Sequence, residues 1–143
     1  LEVIRSTTGN LNPVFSHAIT GPDLIAFKEL VRRVPVSESV LRYAVGLVRM
    51  TRPSENGTGP DFVKKWIAYG ASPRAAQYLV LGAKARALTQ GRYHVTFEDI
   101  RALAQPVLRH RVLTNFHAES EGKTSSSLVN DLLEHAPVPS SGM

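Results

Sequence analysis

One stretch constrains the fold of this chain more than any other: Pro73–Gln90, an alanine-rich run with a defined start and stop. Ala76, Leu79, Val80, Ala83 and Ala87 recur at helical spacing and predict one apolar stripe. Small side chains along the stripe let another element approach closely, and Gly82 adds to that. Ser72 is a good N-cap, and Pro73 suits the first helical position, where no N–H is needed. Gly91 predicts the C′ stop.

This helix opens with an unusual charge. Arg74 falls in its first turn, where the helix dipole already presents positive charge. A cation there typically loses about 0.3–1 kcal/mol, and helices usually place Asp or Glu at that point. A guanidinium beside free N–H groups makes an anion trap, with phosphate the obvious candidate. The competing reading is a solvated arginine whose stem covers apolar surface. Helix-start chemistry alone favours the solvated arginine.

The flanking sequence supplies further helices. Thr20-Gly21-Pro22-Asp23 has the form of a capped start, followed by Leu24, Phe27, Leu30 and Val31 at helical spacing. Val34-Pro35-Val36 breaks that helix and is extended. Ser37 caps a second helix, with Val40, Leu41, Ala44, Leu47, Val48 and Thr51 on one face. Pro53–Pro60 is a turn-rich loop, and Phe62–Ile67 reads as one short apolar and basic turn. Tyr93-His94-Val95 is extended, and Thr96-Phe97-Glu98-Asp99 caps a helix that carries Ile100, Leu103, Ala104, Val107 and Leu108 inward. Pro106 predicts a kink or stop within it. A last helix covers Ser125–Glu134. The expected fold is therefore mostly α: a small helical bundle of about five main helices. It has at most a tiny two-stranded ribbon, formed by Val34–Val36 and Tyr93–Val95.

At 143 residues the chain suffices for one domain with a real core. It contains no cysteine, which excludes disulfides and thiolate metal sites and fits a cytoplasmic protein. No run approaches the ~18 apolar residues of a membrane span. The chain begins at Leu1 and reads as a piece of a longer protein. Its net charge of +5 is uneven: the segment from Phe62 to Leu113 carries nine Lys or Arg against only Glu98 and Asp99. Such a basic middle suits nucleic acid, a nucleotide, an acidic partner or simply a soluble surface.

Several motifs reduce to structural roles. Gly122-Lys123-Thr124 looks like the end of a phosphate loop, but His117 stands where the first glycine belongs. Capping of the last helix is the better reading. The histidines show no metal spacing, and Glu98 with Asp99 is better explained by capping than by paired acid–base work. Arg109-His110-Arg111 ends a helix, where cations are favoured, and Thr51-Arg52 has the same explanation. Trp66 and Tyr69 beside Lys64 and Lys65 suit either a nucleic-acid surface or, for Trp66, core packing.

Taken in order, five segments resemble the C-terminal lid of MoxR-family AAA+ ATPases. They are Gly70-Ala71-Ser72-Pro73-Arg74-Ala75, Ala85-Arg86-Ala87, Gly91-Arg92, Val95-Thr96-x-Glu98-Asp99-Ile100 and Val107-Leu108-Arg109-His110-Arg111. Thr51-Arg52 after an apolar helix is similar to the family as well, while Ser54–Pro60 and Glu119–Gly122 look like places where members differ. The resemblance implies a division into a connector over residues 1–19, the lid over 20–139 and a frayed tail over 140–143. It implies a missing αβα core that carries the phosphate loop and binds ATP with Mg, so that the piece alone is not an enzyme and requires no cofactor. It also implies that Arg74 is the sensor 2 arginine reaching ATP phosphate, with Ser72 and Pro73 positioning it. Neighbouring subunits of a hexameric, chaperone-like ring and a von Willebrand factor A domain protein are the implied partners. Two other readings stay open. One is a basic helical nucleic-acid-binding module using Lys64, Lys65, Arg101, Arg109 and Arg111, against which stands the lack of a recognition helix. The other is the lid of a magnesium-chelatase-type ATPase.

Overall fold

Side-chain caps at Thr20, Ser37 and Thr124 start three of the helices that the apolar spacing predicts. The computed structural model describes residues 1–9, 16, 18–54 and 59–138. Among these, the chain forms α1 (Glu2–Thr8), α2 (Gly21–Arg33), α3 (Glu38–Met50), α4 (Asp61–Trp66), β1 (Ile67–Tyr69) and α5 (Pro73–Thr89). There follow α6 (Phe97–Ala102), α7 (Ala104–Leu108), β2 (Leu113–Thr114), α8 (Phe116–Ser120) and α9 (Ser125–His135). The Asp23 carboxylate accepts the Thr20 N–H at 2.9 Å, and the Ser37 hydroxyl accepts the Val40 N–H at 3.4 Å. The expected tail at 140–143 and most of the loop after Ser54 lie outside the described residues.

The rod α5 is the centre of the bundle and packs against α2, α3, α6 and α7. Its fully buried positions are Ala75, Leu79, Ala83 and Ala87, one residue round from the predicted stripe at its first turn; Ala76 and Val80 are half-buried. Against it lie Val40, Ala44, Leu47 and Val48 of α3, with Ile100, Ala104 and Leu108 of α6 and α7. Leu128, Val129 and Leu132 of α9 close the core. Burying each such Leu, Ile or Val side chain contributes about 1.5–3 kcal/mol. Arg101 ties three helices together, donating to the Tyr43 hydroxyl at 3.0 Å and to the Leu133 carbonyl at 2.9 Å.

Three expectations are corrected. The ribbon exists, but it pairs β1 with β2 in antiparallel register, Ile67 opposite Thr114, instead of Val34–Val36 with Tyr93–Val95. Pro35 has no N–H to donate to a ladder, whereas the Asn115 N–H reaches the Trp66 carbonyl at 3.0 Å and brings the observed strands together. The helix after Thr96 is two helices, broken at Leu103 and not at Pro106. A proline ring clashes with the carbonyl four residues earlier, here Ala102, so Pro106 ends α6 and is tolerated in the first turn of α7. The turn at Phe62–Ile67 is part of α4 and β1.

Candidate functional site

The first turn of α5 holds the predicted site. Ser72 occupies the N-cap with extended backbone and Pro73 opens the helix, but the Ser72 side chain makes no capping hydrogen bond. That corrects the expectation of a side-chain cap; the Ser72 carbonyl instead accepts the Ala75 N–H at 2.9 Å. No acidic residue stands in this turn. Arg74 is exposed and has no hydrogen-bond or ion-pair partner among the described residues. The turn therefore presents one uncommitted guanidinium and no carboxylate to compete for it.

The direction of the turn is set from outside α5. Thr51, fully buried at the end of α3, donates its hydroxyl to the Val48 carbonyl at 2.7 Å. The same hydroxyl accepts the Ala71 N–H at 2.8 Å. Arg52 donates Nε to the Ala71 carbonyl at 3.1 Å, so both polar groups of that residue are held by adjacent residues of α3's end. Gly70 lies so close that a Cβ would stand 2.4 Å from the Thr51 carbonyl oxygen. Sequence reasoning treated Thr51-Arg52 as a dipole contact and missed this link. The available signal was a threonine continuing the buried face of α3 at its last turn.

The other end of α5 carries the densest charge cluster among the described residues. Gly91, at φ +69, ends the helix with its N–H on the Leu88 carbonyl and the Arg92 N–H on the Ala87 carbonyl, a Schellman arrangement. Asp99 is fully buried. It accepts from Arg86 at 2.5 Å, from Arg92 at 2.6 and 2.7 Å, from the Thr96 N–H at 2.9 Å and from the Thr96 hydroxyl at 3.0 Å. Burial works to raise the Asp99 carboxyl, but these bonds, Arg92's foremost, outweigh it and hold the group well below its ordinary 3.8. Capping by Asp99 was legible in Thr96-x-x-Asp; its role as counter-ion to two arginines was not. The cluster is structural, with every acceptor direction in use.

The remaining motifs settle into packing and capping. Gly122 ends α8 with its N–H on the Glu119 carbonyl, and Thr124 caps α9 by accepting the Ser127 N–H at 3.1 Å. The Lys123 ammonium lies 4.8 Å from the centre of the Trp66 ring, with the Lys65 ammonium 4.9 Å from that same ring. No phosphate cradle is formed there. Arg111 donates to the Val107 carbonyl at 2.6 Å at the end of α7, and Trp66 packs half-buried against the core. Of the five residues of the nucleic-acid reading, Arg101 and Arg111 are thus bound within the fold. Among the described residues no group of His, Asp and Glu is arranged to hold a metal ion, and no helix is long and apolar enough to cross a membrane.

Residues 62–132 match the family model described as the AAA lid domain. The chain is 30% identical over 127 residues to chaperone MoxR1 of Mycobacterium tuberculosis, covering 89% of this chain and 33% of that protein. It is 30% identical over 110 residues to protein MoxR of Methylorubrum extorquens, covering 74% of this chain and 32% of that protein. A crystal structure from Cytophaga hutchinsonii, described as that of an ATPase, superposes with a TM-score of 0.83 at 33% identity, over 96% of this chain and 42% of that one. The chain spans about a third of the length of the curated relatives it matches.

Proposed function

The chain belongs to the lid domains of MoxR-family AAA+ ATPases, and on that footing we propose that Arg74 is its sensor 2 arginine, contacting ATP phosphate held by an αβα core outside this chain. The observation that carries the reading is the exposed, uncommitted guanidinium in the first turn of α5. A cation at that position works against the helix dipole, and a bound anion turns the cost into a gain. Ser72 and Pro73 start the helix that carries it. Mg and the groups that break the phosphate bond belong to the core, so the 143-residue chain alone hydrolyses nothing. The chain's own contribution is a positive charge that favours the ATP-bound lid position and α5 as the rigid lever on which it moves. The hexameric ring, a von Willebrand factor A domain partner and the cytoplasmic setting follow from the family and are part of this proposal.

Charge-assisted hydrogen bonds contribute about 1.5–3 kcal/mol, enough to bias a lid equilibrium roughly 10- to 150-fold. In the full-length protein, Arg74→Ala is expected to lower ATP hydrolysis or its ATP dependence by about that range, with the melting temperature unchanged because the residue is exposed. Steady-state kinetics and a thermal melt on the same preparation check this. Wild-type turnover with wild-type ATP dependence refutes the role.

A further inference from the structure

We propose that Thr51 and Arg52 are positioning residues for Arg74; the inference rests on the phosphate-contacting reading of Arg74 given above. The turn that carries Arg74 lacks a side-chain cap of its own, since the Ser72 hydroxyl caps nothing. Its orientation is taken instead from α3. The buried Thr51 hydroxyl accepts the Ala71 N–H at 2.8 Å, its sole acceptor among the described residues, and Arg52 Nε holds the Ala71 carbonyl at 3.1 Å. Ala71 itself is buried, three residues before Arg74. Gly70 permits the contact, because any Cβ there would strike the Thr51 backbone. One residue is thus held through both its N–H and its C=O just ahead of the helix. From that point, Pro73 fixes the next backbone angle and α5 runs as a rigid rod. Release of Ala71 loosens the first turn of α5 and shifts the exposed Arg74 guanidinium away from a fixed anion, while the buried face from Leu79 onward stays in place. Misplacement by about 1 Å costs a positioned interaction about 100-fold. Loss of one of two grips therefore costs part of Arg74's effect, not the fold.

The test uses Thr51→Val, which keeps the shape and removes the hydroxyl, and Thr51→Ser, which keeps the hydroxyl. In the full-length protein, binding of ATP and of ADP is measured by titration for each variant, for Arg74→Ala and for the Thr51→Val/Arg74→Ala double variant. Amide exchange is followed at Ala71 in the 143-residue chain. Thr51→Val is expected to weaken ATP preference over ADP about 10-fold, to expose the Ala71 amide to exchange, and to add nothing once Arg74 is gone. Thr51→Ser is expected to restore the preference. A merely structural role would weaken both nucleotides together and would add to the Arg74→Ala loss; either result overturns the proposal. If Arg74→Ala loses the preference while Thr51→Val keeps it, the positioning idea fails and the reading of Arg74 stands. If Arg74→Ala keeps the preference, that reading fails and the proposal with it. Should Thr51→Val not fold, Arg52→Met carries the test, because it removes only the exposed grip. A wild-type nucleotide preference in Arg52→Met then overturns the proposal.

Discussion

Asp99 concentrates more charge interaction than any other described side chain. Its two oxygens receive donors from Arg86, Arg92 and Thr96, and the carboxylate itself is out of contact with water. Removing one partner of a buried ion pair costs about 3–5 kcal/mol. Here about a third of each arginine side chain reaches solvent, which screens the orphaned charges and lowers the expectation for Asp99→Ala to about 2–4 kcal/mol. Urea unfolding checks this as a fall in midpoint at constant slope. The pH dependence follows from the direction of the shift. The folded carboxyl titrates below its ordinary 3.8, so the unfolded chain binds a proton first as pH falls. Asp99's contribution is complete above the ordinary aspartate range and drains away as pH drops below about 4. The wild-type chain should therefore lose stability on acidification through that window, and Asp99→Ala should lose less. Equal acid sensitivity in both proteins would contradict the assignment.

At the scale of one element, α5 is fixed by different chemistry at its two ends and packed tightly between them. Gly82 and Gly91 make the contrast measurable. A Cβ at Gly82 would meet the Leu103 side-chain tip at 2.7 Å, and that tip is the flexible end of a half-buried residue. Alanine also suits a helix interior better than glycine by about 0.8–1.0 kcal/mol. Gly82→Ala is therefore expected to change stability by less than about 1 kcal/mol. Gly91 has open space around it but sits at φ +69, where an L side chain costs roughly 1–2 kcal/mol. Gly91→Ala should destabilise by about that amount, and chemical denaturation of the two variants separates crowding from backbone strain. The same element shows what a sequence discloses. Its start, its stop, its small-residue face and the place of Arg74 in its first turn were legible, because Pro73, Gly91 and the alanine spacing act locally. Thr51 on Ala71 and Arg86 on Asp99 were not, because they join residues 20 and 13 positions apart. The ribbon was misassigned for a related reason: extended character at Val34 and Val95 is a local property, while pairing is decided by which chain segments α4 and α8 bring together.

Across the whole molecule, burial is unevenly distributed, and opening free energies should follow it. The core is drawn mainly from α3, α5, α6, α7 and α9, with Val63 of α4 and Ile67 of β1, whereas α1 and α2 contribute no buried residue within their own spans. Leu24, Ile25, Phe27 and Leu30 of α2 are each about half exposed. The helix is amphipathic in sequence, yet its apolar residues are only partly covered by the rest of this chain. Its hold on the bundle lies at its C-terminal end. There the Lys84 ammonium donates to the Arg32 carbonyl at 3.0 Å, Val31 is half-buried, and Val34 just beyond is buried. Local opening needs little free energy where few apolar contacts are broken. Native-state amide exchange should therefore grade along α2, fastest near Leu24 and slower toward Arg33. Amides in the middle of α5 and α9 should exchange only with global unfolding. Mutational cost should run in parallel. Phe27→Ala is expected to change the stability of this chain by about 0.5 kcal/mol or less, and the fully buried Leu79→Ala to cost about 2–5 kcal/mol. Protection at Leu24 equal to that at Leu79 would mean that α2 folds and unfolds as one with the core, and the graded picture would be wrong.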